Sequence, residues 1–191
     1  MSSGSRSVDW ITNNADIINN IAQSMIPVQH LISGFAYVMG LGFALKAILT
    51  LKQHGESKSA MSGGGGNLKE PLVYFFVAAI FIYFPSGMAM ILNTTFGPGN
   101  VLAYSPVNSR NPYIQGLFGS GSMVGQSLAL IIQTIGGVAF VRGWVLVARA
   151  SGQGQQPGGV GKGMVHIFGG ILAMNIVLTL QIINNTLYGT S

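Results

Sequence analysis

Leu72-Val-Tyr-Phe-Phe-Val-Ala-Ala-Ile-Phe-Ile-Tyr-Phe-Pro-Ser-Gly-Met-Ala-Met-Ile-Leu92 carries no charge along 21 residues, and only Pro85, Ser86 and Gly87 interrupt its apolar side chains. A helix needs about 20 such residues to cross the hydrocarbon of a bilayer. Residues 31–51 repeat the pattern with one charge, Lys46. Between the two runs lies a polar loop, residues 52–71, with the flexible tract Gly63-Gly-Gly-Gly66. In lipid each backbone group must be satisfied within its own segment, so two apolar runs joined by a polar loop predict a hairpin of antiparallel membrane helices.

The hairpin recurs. Gly40-Leu-Gly-Phe-Ala-Leu-Lys46 aligns with Gly136-Gly-Val-Ala-Phe-Val-Arg142 at an offset of 96, and Ile91-Leu-Asn-Thr-Thr-Phe-Gly97 aligns with Ile183-Asn-Asn-Thr-Leu-Tyr-Gly189 at an offset of 92. Two further apolar runs, 128–148 and 164–183, complete the second copy. The expected fold is an all-α integral membrane protein of four transmembrane helices, arranged as two tandem hairpins in parallel repeat, with an N-terminal amphipathic helix. Two crossings separate equivalent positions, so both copies enter the membrane the same way up. The boundaries are an arm at 1–30, hairpin 1 at 31–97, a linker at 98–126 and hairpin 2 at 127–191.

Composition agrees with this reading. Charged residues are 7% of the chain and mean hydropathy is +0.50, whereas soluble domains carry about a quarter charged residues. The net charge of +5 comes from nine scattered Lys and Arg, with no basic face to follow a phosphate backbone, so direct nucleic-acid binding is not expected. The absence of cysteine excludes disulfides, thiol catalysis and cysteine-ligated metals. Cation placement sets the orientation instead: Lys52, Lys58, Lys69, Arg149 and Lys162 lie in or beside the hairpin loops, against Arg6 and Arg110 on the other side. The loops are therefore expected in the cytoplasm and both termini outside, which in a bacterium is the periplasm.

Along the arm, Ile17, Ile18, Ile21, Met25 and Val28 fall on one helical stripe in a helix starting near Val8 or Asn14. Two readings stay open: an interfacial or partner-binding helix, and a plain extension of the first span. In that span Ala36, Gly40 and Ala44 recur every four residues as a candidate packing face; Gly136, Gly137 and Gly143 in the third span and Gly169, Gly170 and Ala173 in the fourth are equivalent candidates. Pro85 removes one helical hydrogen bond and predicts a kink near Phe84. Lys46 lies about 7.5 Å from mid-span, close enough for its stem to carry the ammonium to the interface, while Arg142, about 6 Å from mid-span, is a candidate for a buried partner or a water-lined face. In the linker, Asn111-Pro-Tyr113 suggests a turn, and Tyr113, Ile114, Leu117 and Phe118 suggest a small apolar patch at the membrane surface.

No catalytic, cofactor or metal site emerges. Gly161-Lys162 is followed by Gly163 and preceded at the required distance by Gln156, so no phosphate loop is present. His30, His54 and His166 share no ligand spacing, and the four carboxylates are divided between the arm and the first loop. Asn93-Thr-Thr95 and Asn184-Asn-Thr186 fit the glycosylation pattern but abut the spans and matter only in a eukaryotic secretory route.

In the first hairpin, Tyr37, Gly40-Leu-Gly-Phe43, Ala47-Ile-Leu49, Leu51-Lys-Gln-His54, Phe84-Pro-Ser86 and Phe96-Gly97 resemble the small hydrophobic inner-membrane proteins of the Dot/Icm type IVB secretion system, in their two-hairpin form. The second hairpin lacks the Lys-Gln-His and Phe-Pro-Ser elements. The resemblance implies a non-enzymatic structural subunit of the bacterial inner membrane, present in several copies among other inner-membrane and periplasmic subunits, and needed to move effector proteins across the envelope. The alternative class is a small oligomeric membrane channel or transporter. Against it, no acidic residue lies in any of the four apolar runs, so a carboxylate relay has no member to use. The orientation is tested by single cysteines at Ser59 and Ser109 in intact cells treated with a membrane-impermeant thiol reagent: Ser109→Cys should label and Ser59→Cys should not, and the reverse pattern would overturn it.

Overall fold

Apolar segments with few polar neighbours can satisfy their backbone only internally, and the described chain does so as helix. The computed structural model describes residues 3–60, 68–97, 104, 106–109, 111–120, 122–152 and 158–188. Among them are seven helices and no strand: α1 Ser3–Ala60, α2 Lys69–Ile82, α3 Phe84–Phe96, α4 Pro112–Phe118, α5 Met123–Ala150, α6 Gly159–Met174 and α7 Ile176–Tyr188. Two helices are long and apolar enough to cross a membrane, Ala15–Glu56 within α1 and Met123–Ala150; the count rises to four if each of the bent pairs α2/α3 and α6/α7 forms one span.

Helix α1 agrees with the extension reading of the arm and corrects the expected loop at residues 52–60. The arm is the beginning of the same helix, not a separate element, and residues 52–60 continue it where a loop was expected. Lys52 and Glu56, four apart with Nζ to Oε1 at 3.7 Å, and the His54 ring Nδ1 donating to the Thr50 carbonyl at 2.8 Å both suit helix there. The tract Gly63-Gly-Gly-Gly66 lies outside the described residues. The arm's apolar stripe divides: Ala22 is buried and Ile18, Met25 and Val28 are half-buried, whereas Ile17 and Ile21 are exposed, because they sit about 100° around the helix from Ile18 and Ala22.

The second and fourth apolar runs are not straight spans. Each turns by 90°, at Tyr83 and at Asn175. At the first break Pro85 is the second residue of α3, where its missing N–H is harmless, but it cannot donate to a carbonyl of the preceding turn, so α2 stops. Tyr83 closes α2 by donating to the Ala79 carbonyl at 3.0 Å and opens α3 by accepting from Gly87 N–H at 2.7 Å. The second break has no proline. Asn175 caps α7 instead: its Oδ1 accepts from Leu178 N–H at 3.2 Å, and its carbonyl accepts from Thr179 N–H at 2.9 Å. The Thr179 hydroxyl donates back to the Leu172 carbonyl at 2.9 Å, which satisfies an acceptor that the end of α6 leaves open.

By internal contacts the chain forms two compact units. Unit 2 comprises Leu31–Ile91 and Val138–Gly169. In it α1 and α2 pack antiparallel, with Phe43 stacked on Tyr74 at 6.0 Å and tilted against Phe81 at 5.9 Å. The end of α5 and the start of α6 form a second antiparallel pair. Phe76 meets Trp144 edge-on at 5.6 Å and Phe84 meets Phe140 at 6.1 Å, joining the pairs through aromatic rings. Unit 1 comprises Met1–His30, Leu92–Gly137 and Gly170–Ser191. Polar side chains hold it: Gln29 Nε2 donates to Thr134 Oγ1 at 2.9 Å, Ser109 Oγ donates to Asn184 Oδ1 at 2.7 Å, and Tyr104 OH donates to the Phe118 carbonyl at 2.7 Å. The expected turn at Asn111 is the N-cap of α4, with Asn111 Oδ1 accepting from Tyr113 N–H at 2.9 Å.

The Asn175 break yields a direct test. Asn175→Ala should cost about 1 kcal/mol through loss of the cap, and Asn175→Ser, which caps comparably, should restore most of it. Unfolding of the detergent-solubilised protein, followed by circular dichroism, measures this; equal stability of all three proteins would remove Asn175 from the account of the break.

Candidate functional site

The candidate site is the set of close backbone contacts in the hairpins and the charged side chains beside them. On α1, Ala36 and Gly40 are buried. A Cβ added at Gly40 would stand 2.9 Å from Ile82 N and 3.0 Å from Phe81 Cβ, closer than a side chain can be accepted. Ala44 is only half-buried, and Ala47 is fully buried in its place. Geometry explains the correction: steps of four residues drift about 40° each, so Ala44 lies about 80° from Ala36, whereas Ala47 returns to within about 20°. Phe43, Ala47 and Thr50 continue the face.

In unit 2, Gly143 on α5 meets α6 with the same intimacy. A Cβ there would be 2.6 Å from Ile167 Cγ1 and 2.8 Å from the Gly163 carbonyl oxygen, and one at Gly163 would be 2.7 Å from Val147 Cγ2. Gly163 was not among the sequence candidates, since it sits at the edge of an apolar run beside Lys162. In unit 1, a Cβ at Gly136 would meet Met174 N at 2.7 Å, the Gly170 carbonyl at 2.8 Å and Ala173. At Gly137, which is buried, and at Gly169, which is exposed, an added Cβ finds nothing within 4 Å.

On α1, side-chain size is distributed inside out relative to a helix of a soluble bundle. Small residues fill the α1 seam, while Leu31, Phe35, Val38, Leu45 and Leu49 stand exposed on the same helix, Leu31 at 71%. Small interface residues with large outward ones are what association in lipid favours, because lipid tails leave only packing and hydrogen bonding to hold helices together.

The charged candidates are both exposed. Lys46 Nζ lies 4.5 Å from the Tyr74 ring centroid, a cation–π arrangement that sequence reading did not foresee. Arg142 lines a groove of unit 2 and forms no ion pair with a described residue. Glu70 lies in the first turn of α2, where a carboxylate faces the positive end of the helix dipole, instead of in a loop. Trp144 Nε1 is buried without an acceptor, alone in this among described side-chain atoms. In unit 1 a cavity of 290 Å³ beside the Asn175 break is lined by Asn19, Gln23, Gln126, Gln133 and Ser127, with no charged residue. Burial raises the Tyr104 phenol pKa above its ordinary value of 10.0. Among the described residues no three His, Asp or Glu side chains gather to hold a metal ion. His54 and His166 each engage the carbonyl four residues earlier, Thr50 and Lys162, at 2.8 Å.

Among the described residues, fold and site together define an all-helical protein with two to four candidate membrane-spanning helices. The chain matches no protein-family model, no curated protein and no solved structure.

The seam is tested by bulk. Gly40→Leu should destabilise the protein by about 2 kcal/mol or more, through overpacking against the α2 backbone, whereas Val38→Leu, at a position 65% exposed, should be near neutral. Similar unfolding of both variants in detergent would show that Gly40 is not an interface.

Proposed function

We propose that this protein is a structural inner-membrane subunit of a type IVB (Dot/Icm) secretion system, a fixed part of an envelope-spanning assembly that moves effector proteins, with no turnover of its own. The observation that carries the reading is the inside-out arrangement of α1 in unit 2: a seam of Ala36, Gly40 and Ala47 inside, and Leu31, Phe35, Val38, Leu45 and Leu49 outside. Such a face suits lipid and neighbouring subunits, and the packed interior offers aromatic and aliphatic side chains in place of an ionisable relay. The resemblance of the first hairpin names the machine.

The reading includes two copies of one hairpin inserted the same way up, with periplasmic termini and cytoplasmic loops. Support comes from the two breaks: Asn175 stands 92 positions after Tyr83, the offset at which the ends of the two second arms align in sequence. Gly40 and Gly136, aligned at the other offset, each press on the residue just before a break, Ile82 and Met174.

Deletion should abolish effector export, and gently solubilised protein should migrate in a complex far larger than its 20.0 kDa. Purified protein alone in liposomes should carry no selective flux. A small homo-oligomer with selective flux, in cells whose export survives deletion, would replace this reading with a channel or transporter.

A further inference from the structure

In unit 2, α1 and α5 run in the same direction, and the groove between them changes character along its length. At one end, 780 Å³ is lined by Leu31, Phe35, Met39, Val138, Val141 and Val145, among other apolar side chains, and by Arg142 and Arg149. At the other, 390 Å³ is lined by Lys46, Thr50, Gln53, His54, Glu70 and Tyr74, again with Arg149. Arg149 thus stands at the junction. Lys46, Arg142 and Arg149 oppose Glu70 alone among the acidic residues, and neither arginine has an ion-pair or hydrogen-bond partner among the described residues.

We propose that this groove binds one anionic phospholipid, its acyl chain along the apolar end, its phosphate at Arg149 and its headgroup against the polar end. The inference rests on the membrane reading above, and three features choose this occupant. From Val138 to Arg149 the groove extends about 16 Å at the helical rise, half of the roughly 30 Å hydrocarbon and so the depth of one leaflet. The apolar-to-cationic gradient along it is that of a phospholipid with a negative headgroup; a partner helix crossing the bilayer would meet an apolar wall only halfway. Arg142, two turns deeper than Arg149 on the same face, also gains what the chain does not supply. A helical side chain leans toward the N-terminus, so Arg142 leans away from the phosphate at Arg149, and the ester oxygens of a lipid drawn into the groove are the acceptors its guanidinium would meet in hydrocarbon. By the cation asymmetry this is the cytoplasmic leaflet, where basic pockets between membrane helices meet anionic headgroups.

The full-length protein, extracted in a mild detergent, is titrated with phosphatidylglycerol or with phosphatidylcholine of the same acyl chains and read by native mass spectrometry. Wild type should retain phosphatidylglycerol at least about tenfold better, and Arg142→Gln with Arg149→Gln should remove that preference while circular dichroism and gel filtration remain unchanged. Val145→Trp, which fills the apolar end, should weaken retention of both lipids. Glycerol 3-phosphate in excess should not displace the bound lipid. Equal retention of the two lipids by wild type, a preference that survives the double arginine variant, or full displacement by glycerol 3-phosphate would each overturn the proposal. Carbonate extraction of cell membranes separates this from the broader reading: protein released to the supernatant refutes the membrane assignment, whereas protein kept in the membrane without lipid preference refutes only the groove.

Discussion

Where Gly40 meets the α2 backbone there is no room for a methyl group, and the same holds where Gly143 meets Gly163. Water drives soluble helices together by expelling apolar surface, but lipid tails are as apolar as leucine, so that force is missing between membrane helices. What remains is dispersion, which decays steeply with separation, and hydrogen bonding. Close approach of backbones is therefore the strongest attraction that this chain, with few polar groups in its apolar runs, can use. Once small residues are committed to the α1 seam, the large aliphatic side chains of that helix face outward.

Hairpins zipped in this way impose a second constraint at the bends, where a helix stops and its terminal groups need partners. The two breaks solve it differently. At Tyr83 the proline that forbids continuation sits where its missing donor costs nothing. At Asn175 a buried side chain and the Thr179 hydroxyl supply an acceptor and a donor directly. Both solutions are local, so a 90° turn is maintained without ionised groups or long loops.

Much of this was legible in the chain itself, and the failures have physical causes. Helix and approximate span positions follow from the length of uncharged apolar runs, and the break near Phe84 follows from proline chemistry. The break at Asn175 left no such mark, because asparagine mid-run also reads as an ordinary polar contact between helices. A stripe of Ala36, Gly40 and Ala44 assumes a fixed spacing of four, and 3.6 residues per turn moves that spacing off the face, which passes to Ala47. Residues 52–60 looked like loop because they are polar, although Lys, Gln and Glu are good helix formers. The groove between α1 and α5 was illegible, since it depends on which distant stretches lie side by side; only Arg142, a charge without a sequence neighbour to pair it, hinted at it.

Backbone contact between the arms of a hairpin is the claim on which everything else stands, and the cysteine-free chain lets it be measured without background. Ala150 and Gly159, replaced together by cysteine in the native membrane, should form an intramolecular disulfide under mild oxidation, because a Cβ at Gly159, the first residue of α6, stands beside Ala150, 2.9 Å from its Cβ and 3.8 Å from its Cα. Val147→Cys with Val165→Cys, whose second position is 70% exposed, should not. Efficient cross-linking of the second pair, or none of the first, would contradict the account.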